Sequence, residues 1–543
     1  MSLHSDISPT KEDKIDPQVE ELEDNIPNTW EGIDVFPIFS RPMIPLLASC
    51  GLVYFLSAST GYDTSLMSSI YTQPSYFMFF KLDPESSTST GIVFSIINIG
   101  QVVAALFCPL IDYYGRKKII HWGSLGIIIG CIITIVSQNK ETLIAGRFFM
   151  AFFTVLSASA GSLYLTEITP PHARARIAGC AGTLYYIGAI LSALVAYGAF
   201  KHNSPYSERT FRIPFGVQCV FPGIVFVFGW WLPESPRWLV GVGKVEEAKQ
   251  IIAKYHCNGN ADHPLLHFEI AEIQASFADE SLESPVKLLD IRPVLTKGNL
   301  YRTFLVIAIA WFGQFSGNNC NSYYLPTMLS KIGWTSLDKI VLMNAVYALV
   351  SWVAAVCGAY FHEKVGRRKM FMFSTMACAL CLTGLAVATA RYIKTGAAAA
   401  SKTALGFIIM FGMGYGFGIT PMQMIYPAEV SSNVLRSRSF IIWNIAAGAA
   451  QFVNQFATPT AMANISFWFY VFYALWDVFE FFVIYFTFVE TKGKTLEEME
   501  EIFAANSPKR VSLGDYSKET DESRQAMLQV TQVIAQSKIE EKA

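Results

Sequence analysis

The sequence predicts an all-α membrane protein, with twelve transmembrane helices in two pseudo-symmetric six-helix bundles. Three observations predict it. Of 543 residues, 52% are hydrophobic and only 15% are charged, where a soluble chain carries roughly 25%. The missing charge leaves uncharged runs of about 20 residues, the length that crosses a hydrocarbon core. Two motifs also recur in order. IDYYGRKK (111–118) returns as HEKVGRRK (362–369), and EITPPHARAR (167–176) returns as EVSSNVLRSR (429–438). The offsets are nearly equal, 251 residues between Gly115 and Gly366 and 262 between Glu167 and Glu429, so the chain reads as a duplicated unit.

Residues 1–43 are acidic and polar, without a signal-peptide core, and are expected to be a disordered cytosolic tail. Apolar windows follow near 44–64, 91–111, 119–137, 143–163, 177–198 and 214–232, the N-terminal bundle (44–232). A polar stretch, 233–302, reads as a cytosolic loop with short helices such as VEEAKQIIAKY (245–255). The second set of windows lies near 303–324, 339–361, 370–390, 404–424, 438–457 and 467–488, the C-terminal bundle (303–488), before a tail at 489–543. The loops after windows 2, 4, 8 and 10 carry GRKK, HARAR, GRRK and RSR. Short basic loops stay in the cytosol, so both termini are expected there. Twelve spans in two halves suit the movement of a solute through a site between them.

Several classes are excluded. A net charge of −2 gives no field for nucleic acid. No hydrolase elbow, phosphate loop, zinc-protease or dinucleotide motif stands in a matching context, so neither enzyme, cofactor nor metal is expected. Nine of the ten cysteines fall in or beside apolar windows and read as small hydrophobes. Cys378 and Cys381 have CxxC spacing but no His or carboxylate neighbours in sequence, which argues against redox or metal chemistry. Asn464-Ile-Ser466 fits a glycosylation triplet close to the membrane.

The polar residues inside the windows point to function. Asp63, in ASTGYDTSLMSS (58–69), cannot face lipid without a cost of several kcal/mol, so it faces water or a partner. Arg147 in window 4 is the natural partner, the alternative being that it snorkels to an interface. Asp112 with Arg116, and Glu363 with Arg367, place a carboxylate three residues before a glycine and its cations. With Glu167, Arg174, Glu429 and Arg436 they suggest a gating ion-pair network, against a bare topology signal. Window 7 crowds Trp311, Gln314, Asn318, Asn319, Asn321, Tyr323 and Tyr324 together. Amides beside aromatic rings suit a neutral polyhydroxyl ligand, or else interhelical hydrogen bonding. Asn454 and Gln451 in window 11 fit either role.

GYD (61–63), DYYGRK (112–117), GR (146–147), PESPRWL (233–239), GQFSGNN (313–319), GRRK (366–369) and VETKG (489–493) resemble the sugar porter branch of the major facilitator superfamily. WFGQFSGNN, SYYLPTML (322–329), PESPRWLVGVG and QFVNQFATP (451–459) look most like fungal lactose permeases. The resemblance implies a plasma-membrane importer, functional as a monomer, that moves a lactose-like disaccharide with protons. Its energy would come from the proton gradient and from no cofactor. It implies Asp63 as protonation site paired with Arg147, Gln314 and Asn319 as sugar-binding amides, and Glu234 and Arg237 within the ion-pair network. Gly313 stands where hexose-type porters carry the first of two glutamines, Gly182 and Ala189 where their span-5 glutamines fall, and Met424 near their span-10 tryptophan. Smaller groups enlarge a site, which fits a disaccharide. Val489 and Cys108 also depart from the pattern, standing for a proline and a glycine. A facilitative hexose, polyol or other metabolite transporter, or a sugar sensor that transports nothing, remains an alternative.

Overall fold

The computed structural model describes residues 40–71, 73–83, 90–278, 290, 292–334, 336–423, 425–431, 435–494, 496–505 and 507–514. Most of the two expected tails therefore lies outside the described residues, as does Met424. The described chain is nearly all helical. Span 1 is Ile44–Ile70, span 3 Arg116–Val136, span 4 Lys140–Ile168, span 5 Pro171–His202, span 8 Leu337–Val365, span 9 Arg367–Thr395, span 11 Arg436–Ile465 and span 12 Trp468–Thr487.

The other four spans are interrupted, each at residues that disfavour a continuous helix. Span 2 is Ile92–Ala105 and resumes as Leu110–Tyr114 after a turn holding Pro109, so its helix stops short of the expected 111. Span 6 is Arg209–Val217 and Val220–Phe228, with Pro214 inside the first piece and Gln218 at the junction. Span 7 is Leu300–Phe315 and Asn318–Lys331, divided at Ser316 and Gly317, whose φ of 81° is a left-handed turn. Span 10 runs Ala398–Gly418, passes through a turn containing Pro421, and resumes as Ile425–Val430. Among the described residues nine helices are long and apolar enough to cross a membrane. Spans 2, 7 and 11 complete the twelve, being short, broken and amide-rich respectively.

Spans 1–6 and 7–12 form the two halves. Span 3 packs on span 4 and span 1 on span 5 in the first; span 9 packs on spans 10 and 12 in the second. The halves meet through spans 2 and 11, 5 and 8, and 1 and 7. On the face opposite the basic loops these contacts are neutral. Asn98 Nδ2 of span 2 donates to Gln455 Oε1 of span 11 at 3.0 Å, and within the second half Tyr324 Oη donates to the Gln455 carbonyl at 2.8 Å. Ser68 Oγ donates to Asn344 Oδ1 at 3.2 Å, and the Tyr324 ring lies 5.2 Å from Tyr71 and 5.9 Å from Phe94.

Three short helices follow span 6: Pro236–Gly241, Val245–His256 and Pro264–Ala278. They share a small core that includes Leu239, Ile252, Leu265 and Leu266. His256 fastens them to the membrane part. Its Nδ1 lies 2.8 Å from Glu269 Oε2 and its Nε2 2.8 Å from the carbonyl of Ile168, the last residue of span 4.

Candidate functional site

Asp63 looks into the first half. Its Oδ1 lies 3.5 Å from Arg147 Nη2, and Gln218 Nε2 donates to the same oxygen at 2.9 Å. Span 4 brings the arginine, and the junction in span 6 turns the glutamine inward. Arg147 is fully buried, while the Asp63 side chain keeps 15% exposure. The carboxylate thus touches accessible space from a wall whose cation is dry. Arg147 does not snorkel. Its guanidinium makes no hydrogen bond among the described residues, leaving the long ion pair with Asp63 as its charge contact.

In the second half the expected amides converge on the break in span 7. A helix that stops at Phe315 leaves carbonyls free, and side chains take them up. The Gln314 carbonyl accepts from Asn319 Nδ2 at 2.8 Å and from Asn454 Nδ2 at 3.2 Å. The Gly313 carbonyl accepts from Tyr415 Oη at 2.5 Å and from Gln423 Nε2 at 3.1 Å. Gln314 Nε2 reaches Gln423 Oε1 at 3.3 Å. The structure therefore brings Gln314, Asn319 and Asn454 together, with Asn319 and Asn454 donating to backbone in this conformation. Asn318 is set apart, its Oδ1 accepting from Ser322 Oγ at 3.4 Å. The Tyr324 ring belongs to the contact between halves, against Tyr71 and Phe94, and the Tyr323 side chain lies outside the described residues.

The basic loops hold two matching clusters. In the first half Arg116 Nη2 lies 2.8 Å from Asp112 Oδ1, and Arg116 Nε lies 2.8 Å from Glu167 Oε2. Ser235 Oγ donates to that glutamate, while Glu234 Oε1 accepts from the backbone amides of Lys117 and Ser235, each at 3.0 Å. In the second half Arg367 Nη2 donates to Glu429 Oε1 at 2.9 Å and Thr491 Oγ1 donates to Glu429 Oε2. Glu490 accepts from the amides of Arg367 and Arg368 at 2.8 and 3.2 Å. Gly115 and Gly366 turn the chain at φ of 93° and 106°. A Cβ on either would come within 2.6 Å of the carboxylate of Glu234 or Glu490. The Arg116 and Arg237 charges both act on Asp112. Burial pushes Glu234 above the ordinary carboxylate range, opposed by the amides it caps. The side chains of Arg174, Glu363 and Arg436 lie outside the described residues.

Several of these residues were not anticipated from sequence: Gln218, Gln423, Glu490 and two acids of span 12. Asp477 and Glu480 are fully buried half-way along that span. Glu480 Oε1 accepts from Trp476 Nε1 at 2.6 Å, while neither oxygen of Asp477 has a hydrogen-bond partner among the described residues. Span 12 packs on span 9, the span that carries Cys378. The acids come from a span more than ninety residues away, which sequence proximity does not show. The signal was the one read at Asp63, a carboxylate inside an apolar window.

The model of the family described as sugar (and other) transporter matches residues 49–503. Over 471 residues the chain is 27% identical to the high-affinity glucose transporter of Kluyveromyces lactis, covering 82% of this chain and 83% of that one. It is 28% identical over 471 residues to a low-affinity glucose transporter of Saccharomyces cerevisiae, covering 84% and 80%. These relatives are named for glucose and not for lactose. Among solved structures, the inward-open conformation of the xylose transporter XylE from E. coli matches with a TM-score of 0.69. That match covers 84% of this chain and 99% of that one at 18% identity, and it shows the fold.

Proposed function

The chain belongs to the sugar (and other) transporter family, and from that premise we propose that it imports a sugar together with protons across the plasma membrane, its basic loops and both termini in the cytosol. The observation that carries the coupling is the pairing of a fully buried Arg147 with an Asp63 that keeps access to solvent-accessible space. Protonating Asp63 removes the charge that holds Arg147, and returning the proton restores it. An equilibrium between two arrangements of the halves is thereby tied to a proton. Gln314, Asn319 and Asn454 bind sugar hydroxyls, and sugar competes with the contacts their amides make at the span 7 break. The neutral contacts between Tyr324, Gln455, Asn98, Tyr71 and Phe94 close the outer side in this conformation.

A hexose is the first candidate substrate, because the named relatives are glucose transporters. A lactose-like disaccharide is the second. It is favoured by Gly182, where an added Cβ would meet nothing within 4 Å, one turn from the Tyr186 that touches Thr420 of span 10. Uptake of labelled glucose, lactose and cellobiose by cells lacking other sugar transporters tests the reading. Concentrative uptake that an uncoupler collapses is expected. Equilibration indifferent to the uncoupler would leave a facilitator, and binding without flux would leave a sensor.

A further inference from the structure

We propose that Gln423 is a sugar-contacting, specificity-determining residue, and that Gly313 is bare in order to admit it. The inference rests on the sugar-transport reading above and extends its binding site to span 10.

Gly313 sits one residue before Gln314 on the first helix of span 7, at the break where the amides converge. Its missing side chain does not leave a hole. An ideal Cβ at this position would lie 2.3 Å from Gln423 Nε2 and 2.9 Å from Gln423 Cδ. A side chain at 313 would therefore push the flexible end of Gln423 off the partners it has here. Gln423 reaches this spot because the α-helix of span 10 stops at Gly418 and gives way to a short 3-10 helix, Thr420–Met422. There its Nε2 donates to the Gly313 carbonyl at 3.1 Å and to Tyr415 Oη at 2.5 Å, and its Oε1 accepts from Gln314 Nε2 at 3.3 Å.

The arrangement is a pair of neighbouring carboxamides, one from span 7 and one from span 10. Of the groups around them Tyr415 is buried, while Gln423 remains half-buried. Each amide carries two donors and one two-fold acceptor; Gln423 gives both donors to Gly313 and Tyr415 and keeps one acceptor site, while Gln314 keeps one donor and one acceptor site. Two adjacent hydroxyls of a pyranose ring fit this pair, one donating to Gln423 Oε1 and the other exchanging hydrogen bonds with Gln314. Because the pair bridges two spans, a sugar held by it ties span 7 to span 10.

The test is a position swap in the full-length transporter, with surface level measured for every variant. Gln423→Ala is expected to raise the KM for the transported sugar by roughly tenfold, the worth of one or two neutral hydrogen bonds, with little change in Vmax. It should also flatten the discrimination between that sugar and its deoxy analogues, a readout that a merely structural role would leave alone. Gly313→Gln alone should raise the KM at least as much as Gln423→Ala does, because it pushes the Gln423 amide off its place. The double variant Gly313→Gln/Gln423→Ala should bring the KM most of the way back, with a changed deoxy-sugar profile. If Gln423→Ala does not reach the membrane, Gln423→Glu, which keeps the shape and replaces the donor by an acceptor, carries the same deoxy-sugar comparison. An unchanged KM and profile at normal surface level would overturn the inference while leaving transport intact. A wild-type protein that takes up no sugar would overturn the transport reading and this inference with it.

Discussion

At the basic face the two halves correspond residue for residue: Arg116 with Arg367, Glu167 with Glu429, Ser235 with Thr491, and Glu234 with Glu490. At mid-membrane they do not. The first half holds a carboxylate, Asp63, with a dry arginine and a glutamine. The second offers amides around a broken helix, together with two acids that have no ion-pair partner among the described residues. Duplication thus kept the part that both halves need, a clasp where helices turn at the membrane edge. It let the middle diverge into a carboxylate–arginine pair on one side and a cluster of amides on the other, the two parts to which the proposed function assigns proton and sugar.

The most damaging blow to this division of labour should be Asp63→Asn. Uphill accumulation is expected to vanish, with the inside-to-outside ratio falling to unity, while sugar exchange persists in vesicles. Retained accumulation would end the first half's claim to the proton. Next come the clasps. Glu167 and its arginine are each 9% exposed, whereas Arg367 and Glu429 are 14% and 24% exposed. Removing one partner of a buried pair costs several kcal/mol, and less where water reaches it. Glu167→Gln should therefore reduce uptake about tenfold or more, and Glu429→Gln should do the same to a lesser degree. Equal effects would show that symmetry outweighs burial.

Gly115→Ala and Gly366→Ala then ask whether the turns are equivalent. Each puts a Cβ against a glutamate oxygen and strains a positive φ, so surface level and thermal stability should fall in both by about 1–3 kcal/mol. A tolerated change in one half alone would break the correspondence. The smallest effect is expected from Asp477→Asn with Glu480→Gln. These neutral isosteres should leave coupling intact and uptake within about twofold, since burying two unpaired charges is prohibitive and the acids act as neutral groups. Loss of accumulation would move part of the proton chemistry into the second half.

Much of this was legible because it is written in composition and spacing. Uncharged windows give spans, basic loops give a shared side, and recurring glycine-cation motifs give the repeat. The third member of that repeat escaped notice. PESPRWL and VETKG share little beyond a glutamate followed by a hydroxyl residue, and the equivalence of Glu234 and Glu490 shows only when both are seen capping the first turns of spans 3 and 9. Gln218 and Gln423 were illegible for another reason. Each acts from an interruption of its own span, at Gln218–Cys219 and between Gly418 and Ile425, and apolar-window length does not register such breaks. The break at Gly317 had the same effect on Asn319 and Asn454. Hydrogen bonding between helices and ligand binding are both open to these amides, and each gives one donor to the Gln314 carbonyl in the conformation seen.

The contacts that join the halves on the face away from the basic loops have a consequence for energy conversion. They link amides, hydroxyls and aromatic edges, groups that trade one partner for water at about 0.5–1.5 kcal/mol apiece. A door latched this way can be reopened by thermal agitation. Under the proposed coupling, the free energy of the proton gradient is then left for setting the direction of travel.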